Sequence, residues 1–424
     1  MAAIVAACNF SNHADLGYRV YTALFAVQHR GEHNASLTAI RQDGITHKRK
    51  HGLLERVFVE TDWTSFDGQV VLGRIGCQYP EAIVNPIFNY NKNAAAVYEG
   101  QLSASPKQVL RDPENAISLA VSYIKNHPGA YGMTIGLPGK LLACCDPRGI
   151  RHLAIGRFED GSYILATESA SIEAAGAVII GSIQPGRLVI LTSTGLQVEP
   201  VIDYFRKRRC VAEVSSRMMP TSEWLAATVA GWRKELSQLL AERFSHRVEA
   251  VIPIPRAAII GAQAFASAVG VPYRPALVYN RYIHNNQTVN GVDPIDLKFG
   301  IIESELVGLQ SVALVDDMVR SGKTMAGIAK RLRGRGIRLI HGVVLNPLLV
   351  GRCDYGIANW PAGGLLENGN PSEVCAALNL DSLTAIGLED LYRVFGSEIC
   401  CHCFGGEKPF AFPANIYRPQ LTTP

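Results

Sequence analysis

Residues 312–325 read Val-Ala-Leu-Val-Asp-Asp-Met-Val-Arg-Ser-Gly-Lys-Thr-Met, and no other stretch constrains the fold as tightly. The apolar run predicts a buried strand over 311–315 that stops at two adjacent acids, Asp316 and Asp317. A short loop then opens a helix predicted over 324–333. A strand that enters a turn and then a helix belongs to a doubly wound parallel sheet, with the loop at its carboxyl edge. There the backbone N–H groups and the helix dipole converge on one spot, which makes an anion site. Gly322 permits close backbone approach, Ser321 and Thr324 add hydroxyl donors, and Arg320 and Lys323 add charge. The mononucleotide P-loop does not fit, because its first glycine is missing and the acids precede the loop. The pattern suits a sugar phosphate: residues 318–324 (Met318, Val319, Arg320, Ser321, Gly322, Lys323, Thr324) surround the phosphate, and the two carboxylates accept from ribose hydroxyls. The alternative is an acidic strand end followed by an ordinary helix start.

Around this motif the chain alternates between strands and helices. Strands are predicted over 250–254, 276–279 and 338–345, and helices over 222–244 and 257–269, with an irregular polar loop over 283–298. The first half differs. Short β-branched segments at 69–72, 132–135, 162–167 and 187–192 are punctuated by Gly, Pro, Asp and Asn. Helical spacing is confined to 17–29 and 116–126, which predicts a layered α+β domain. The expected division is 1–205, 206–385 and a Cys-rich tail, 386–424, packed on both. With 424 residues, there is enough chain for two cores.

Charge excludes some classes. A formal net charge of +4 is small for this length and does not point to nucleic acid. The basic run at 206–209 reads as a solvated linker face. The opening residues lack the basic flank of a signal peptide, and no apolar run reaches the ~18–20 residues of a membrane span. A cytoplasmic protein without a membrane partner is expected, and ten cysteines in such a chain are not a disulfide framework.

Residues 312–325 closely resemble the phosphoribosyl pyrophosphate (PRPP) motif of type I phosphoribosyltransferases. Their Ser-Gly-Lys-Thr-Met ending is more like the purine-salvage branch. Other segments resemble amidophosphoribosyltransferases along almost the whole chain: Gln28-His29-Arg30-Gly31, Asp146-Pro147-Arg148-Gly149, Thr167-Glu168-Ser169, Asn280-Arg281-Tyr282 and Cys353-Asp354-Tyr355-Gly356. The resemblance implies an N-terminal-nucleophile-type four-layer sandwich (α+β), followed by an α/β type I phosphoribosyltransferase domain with a central parallel sheet. It implies a PRPP site in which Asp316 and Asp317 meet ribose and Mg²⁺, and a pyrophosphate loop at Arg256, Ala257 and Ala258. Arg256 stands where the family usually has Asp. It either pairs with pyrophosphate oxygens in a bidentate way or is a solvated turn residue. Tyr282 through Lys298 would form the lid that excludes water, with Tyr282 close to the chemistry.

The same resemblance makes the first half a glutaminase fold that has lost its parts. The family's nucleophilic Cys falls on Ala2, its carboxylate-binding Arg on Gly76, and its oxyanion-hole Asn on Glu99. A methyl group cannot attack an amide, and a carboxylate repels a developing oxyanion. Cys8 is the only nearby thiol, and it reads as buried. Three separate losses imply a pseudoglutaminase. Some family members hold a four-iron four-sulfur cluster, and Cys210, Cys353, Cys400 and Cys403 fall at or near its ligand positions. A zinc site and four inert thiols are the alternatives.

The expected function is transfer of phosphoribose from PRPP to a small nitrogen acceptor, purine-like or deazapurine-like, by a homo-oligomer (dimer or tetramer). Ammonia-dependent phosphoribosylamine synthesis and a non-catalytic PRPP-binding regulator are the alternatives.

Overall fold

The computed structural model describes residues 2–11, 15–77, 85–203, 206–280, 283, 293–356 and 371–412, the side chains of 371 and 372 excepted. Strand Ala2–Cys8 is buried along its whole length, and its alternation shows why. Ala3, Val5 and Ala7 face one apolar cluster, while Ile4, Ala6 and Cys8 face another. A strand apolar on both faces must sit between layers. It pairs antiparallel with Val70–Gly76 on one side and Tyr163–Ala166 on the other. The sheet has seven strands in the order Val178–Ser182, Ala154–Arg157, Tyr163–Ala166, Ala2–Cys8, Val70–Gly76, Asn34–Ile40, Ile45–His51.

A second sheet of six strands includes Ala95–Leu102, Gly129–Leu137, Lys140–Cys145 and Arg187–Thr192. Its inner face meets the first sheet through Val97, Leu141, Ala143 and Val189, packed on Ile4, Ile40 and Leu72. Helix Leu16–Ala26 covers the outer face of the first sheet, and helix Ala116–Asn126 covers that of the second. The result is four layers, helix, sheet, sheet, helix, as the resemblance implies.

The second half is built on a parallel sheet of four strands, Ala250–Pro253, Ser311–Asp316, Leu339–Val344 and Ser382–Ala385. Alternation again assigns the faces. Val251, Ala313, Val315 and Val343 pack toward helices Val229–Arg243 and Ile259–Val269, whereas Ile252, Val312, Leu314 and Ile340 pack toward helix Lys323–Arg333. A two-stranded ribbon, Leu277–Tyr279 with Phe299–Ile301, flanks the carboxyl edge.

Two expectations need correction. The helix predicted over 222–244 begins only at Val229, because Glu223–Trp224 and Ala227–Thr228 form a tight antiparallel ribbon. Leu225 and Ala226 turn that ribbon at positive φ (50° and 61°), and the Thr228 side chain then accepts from Gly231 N to start the helix. The turn carries no Gly, Asn or Asp, so nothing local announces it. The basic run at 206–209 is a solvated face only at Arg206 and Lys207. Arg208 is buried and pairs with Glu407, while Arg209 meets Glu398 at 3.3 Å. The run anchors the C-terminal segment, which also places Phe410 under Arg148 and accepts a hydrogen bond from Tyr355 at the Phe410 carbonyl (2.7 Å).

Candidate active site

Strand Ser311–Asp316 delivers its acids into a cleft of about 530 Å³. Asp317 N donates to Asp316 Oδ1 (2.9 Å), and Asn346 Nδ2 donates to the Asp317 carbonyl (2.8 Å). The Ser216 hydroxyl donates to the Asp317 carboxylate. Burial first, and then the adjacent Asp317 charge, push Asp316 well above the ordinary carboxylate range. A buried acid pair of this kind is relieved by a cation or by hydroxyl donors. The loop that follows turns at Gly322, whose φ of +73° favours glycine, and helix Lys323–Arg333 begins there. Arg320, Ser321 and Lys323 are exposed around its mouth.

The other side of the cleft starts at the end of strand Ala250–Pro253. Pro255–Arg256 is a cis peptide, and exposed Arg256 lies over the Tyr279 ring, 5.0 Å from its centroid. Lys298 also faces the cleft, its pKa lowered by burial and then by the Arg320 charge. Thus Asp316 through Thr324, Arg256, Ala257 and Lys298 surround one space. Ala258 is fully buried behind it, at the head of helix Ile259–Val269. Tyr282 and residues 284–292 of the expected lid lie outside the described residues.

The sequence reading missed a whole wall. His29, from the first half, lines the cleft together with Ser216, Arg217, Met218, Met219 and Arg233. His29 stands in a motif noted above, yet the motif says nothing about where its side chain goes. Residues 213–219 carry no periodicity that marks a site.

Behind that wall lies a buried ionic network joining the two halves. Glu168 accepts from Arg30 NH1 (2.8 Å), Met219 N (2.7 Å) and Ser222 Oγ (2.9 Å), with His29 Nε2 at 3.3 Å. Burial alone would raise its pKa. The His29 hydrogen bond and the Arg30 charge outweigh that and hold it at about 2. Arg30 also meets Glu213 at 2.8 Å, as Arg151 does at 2.9 Å. Glu99 lies 3.6 Å from Arg30 and 3.9 Å from Arg151, with Oε2 enclosed and without a hydrogen-bond partner. Burial raises its pKa.

The three substituted positions come together here. Ala2 pairs with Gly76 across the sheet, and Arg30 Nε donates to the Ala2 carbonyl (3.2 Å). The site nevertheless keeps a guanidinium. Arg74, two residues back on the same strand face, lies over Gly76, where an added Cβ would be 2.7 Å from its NH1. Arg74 is held by the Tyr98 carbonyl (3.2 Å) and Asn34 Oδ1 (3.1 Å). Cys8 is buried, and its thiol is pushed far up by desolvation.

Cys210, Cys353, Cys400 and Cys403 line one small cavity with Ile150, Ala212, Tyr355 and His402. Pairing of Arg209–Cys210 with Ile399–Cys400 sets Cys210 opposite Cys400. Burial and then the neighbouring thiols raise Cys210 and Cys403, and burial raises Cys400 to about 12. Among the described residues, no three His, Cys, Asp or Glu side chains converge as ligands of a single ion. Four thiols around the rim of one cavity are compatible with a larger cluster that binds one thiolate at each of four corners.

Stacked antiparallel sheets followed by a parallel sheet, with an acid pair and an anion loop at its carboxyl edge, define a glutaminase-type layer joined to a type I phosphoribosyltransferase. No family model matches the chain. It is 27% identical to the amidophosphoribosyltransferase of Synechococcus elongatus, over 95% of this chain and 90% of that protein. It is 24% identical to the Bacillus subtilis amidophosphoribosyltransferase, over 96% and 94%. The fold of the B. subtilis glutamine PRPP amidotransferase, solved with ADP and GMP, superposes with a TM-score of 0.89 at 22% identity, covering 98% of this chain and 99% of that one. The chain is thus similar to amidophosphoribosyltransferases over nearly its whole length, and it has their fold, a class II glutamine amidotransferase-type layer followed by a phosphoribosyltransferase-type layer.

Proposed function

We propose that the protein transfers phosphoribose from PRPP to a small nitrogen acceptor, purine-like or deazapurine-like, without hydrolysing glutamine. The observation that carries the transferase reading is the single cleft holding Asp316, Asp317, residues 318–324, Arg256 and Lys298. In it the loop holds the 5′-phosphate, Asp316 and Asp317 accept from the ribose hydroxyls, and Arg256 with the Ala257 and Ala258 backbone meets the pyrophosphate. The acceptor nitrogen lone pair forms a bond to ribose C1 as the C1–O bond breaks. Pyrophosphate leaves with that electron pair, and the acceptor proton passes to solvent. Catalysis is positioning and leaving-group stabilisation, because charge builds on sugar and pyrophosphate together. Asp316 and Asp317 would hold Mg²⁺ together with PRPP oxygens, an arrangement usual for an ion that keeps substrate and water ligands. That ion would supply charge neutralisation at the leaving group.

Loss of glutaminase is supported by the methyl side chain of Ala2 and by Glu99, a carboxylate set between Arg30 and Arg151. The purified chain should release no glutamate from glutamine above a no-protein control. A rate within about tenfold of the family's ordinary turnover, about 1–10³ s⁻¹ for enzymes at large, would end this reading. The second reading is phosphoribosylamine synthesis, favoured by relatives of that name matched over nearly their full length. Pyrophosphate release with ammonium but with no base in a panel of purine-like compounds would select it.

The four-cysteine cavity is proposed to hold a 4Fe-4S cluster, tying strand Arg209–Cys210 to the C-terminal segment. Protein purified without oxygen should contain iron and sulfide in equal amounts, and replacing Cys210 or Cys400 by Ser should remove both. Absence of both from the parent protein would rule the cluster out. We further propose a division near residues 205 and 385, a cytoplasmic location, and a homo-oligomer that covers exposed Tyr18 and Phe25. None of the described helices is long and apolar enough to cross a membrane.

A further inference from the structure

One charged group in the cleft has no task in the PRPP placement. Arg233 beside it is committed, since its Nε donates to the Val214 carbonyl (3.1 Å) and its NH2 to the Met218 carbonyl (2.8 Å). Those bonds pin the turn that carries Arg217. Arg217 itself lines the cleft, and its Nε is enclosed without a hydrogen-bond partner. Among the described residues, no carboxylate forms an ion pair with its guanidinium, and the acids on either side are engaged elsewhere. Glu213 is held by Arg30 and Arg151 (2.8 and 2.9 Å), and the Asp317 carboxylate accepts from Ser216.

The Arg217 backbone is also fixed from the first half of the chain. His29 Nε2 lies 3.1 Å from the Arg217 carbonyl, and Glu168, which is 3.3 Å from that nitrogen, accepts from Met219 N. The turn that presents this side chain to the cleft is therefore held from both halves of the chain. An enclosed, unsatisfied donor of this kind is costly unless a ligand completes it. A guanidinium best matches a carbonyl or carboxylate oxygen, with two parallel N–H donors.

We propose that Arg217 reads the acceptor: its guanidinium donates to an oxo or carboxylate group on the nitrogen nucleophile. This rests on the transferase reading and narrows it. The acceptor is then an oxygen-bearing nitrogen compound, such as a 6-oxopurine-like base or a carboxylated heterocycle, and not ammonia. Ammonia carries one lone pair, which the attack on C1 uses, so it leaves Arg217 unsatisfied. The first half of the chain, without a glutaminase role, would then act by holding this wall in place through Glu168 and His29.

The test uses the full chain with PRPP and Mg²⁺, as wild type, Arg217→Met and Arg217→Lys. PRPP affinity is measured by calorimetry, and pyrophosphate release is followed with ammonium, 6-oxopurines, 6-aminopurines and carboxylated heterocycles. Wild type should prefer the oxygen-bearing compounds. Arg217→Met should raise their KM by about 10²-fold or more, since a site built for a hydrogen bond discriminates strongly when it is missing. PRPP affinity should stay within about threefold, and Arg217→Lys should recover part of the loss. If Arg217→Met leaves every acceptor KM unchanged, or loses PRPP affinity instead, the acceptor role is wrong while the transferase reading stands. If wild type releases pyrophosphate with no acceptor, the transferase reading falls and takes this inference with it.

Discussion

Replacing Asp316 by Asn should lower pyrophosphate release by about 10²-fold or more while leaving the folded protein as stable as before, or slightly more so. The two effects have one cause. Asp316 is buried at the end of strand Ser311–Asp316, beside a second carboxylate, and burial followed by the Asp317 charge raises its pKa. In the free protein a charge there is unfavourable, and an amide of the same shape removes the repulsion. In the complex that charge is needed, because Mg²⁺ and ribose hydroxyls take its place as partners. Asn retains shape and one acceptor oxygen but cannot neutralise a cation. Asp317→Asn should show the same loss of rate, without the gain in stability, because Asp317 is only half-buried and already accepts from Ser216. Melting temperature and steady-state pyrophosphate release on both variants check this. An Asp316→Asn protein with full activity, or one that melts several degrees lower, would contradict the placement of the acid pair.

Most of the acid-pair and loop side of this cleft was legible in the sequence because it is local. The apolar strand, the acids, the small-residue loop and the helix start occupy consecutive positions, so strand and helix periodicity place them together without tertiary information. The predicted strand over 311–315 and helix over 324–333 appear as Ser311–Asp316 and Lys323–Arg333. The facing wall of the cleft was not legible, since His29, Arg217 and Arg233 meet only after two sheets and a ribbon have packed. No spacing rule connects residue 29 to residue 217. The helix over 222–244 failed for a related reason. Its apolar residues have helical spacing, but Glu168 accepts from Met219 N and the Ser222 hydroxyl, and Ser169 Oγ accepts from Glu223 N, which fixes the backbone at 219–223 as it enters the ribbon. At Ala2, Gly76 and Glu99 the sequence shows residues that differ from the pattern it otherwise resembles. That Arg74 reaches over Gly76 through its side chain was not legible.

Removal of the Glu168 carboxylate should affect both halves of the molecule. Arg30 and His29 approach it from the first half, and Met219 N and Ser222 Oγ from the second. Glu168→Ala leaves Arg30 with less compensation in a buried setting and should cost about 3–5 kcal/mol. Acid should do part of the same damage. The folded pKa of about 2 lies below the ordinary 4.5, so the carboxylate stabilises the fold fully above pH 4.5 and loses that contribution as pH falls toward 2. The whole contribution is on the order of 3 kcal/mol, with roughly 1.4 kcal/mol gone by pH 3.5. Glu168→Gln keeps shape without charge, so it should be clearly less stable than wild type at pH 7. The gap between them should narrow steadily as the pH is lowered to 3.5. Chemical denaturation of both proteins across that range measures the gap directly. A gap that stays constant with pH would mean that Glu168 carries no charge-dependent share of the contact between the halves. The wall bearing Arg217 would then be held by packing and by the Arg233 and His29 hydrogen bonds.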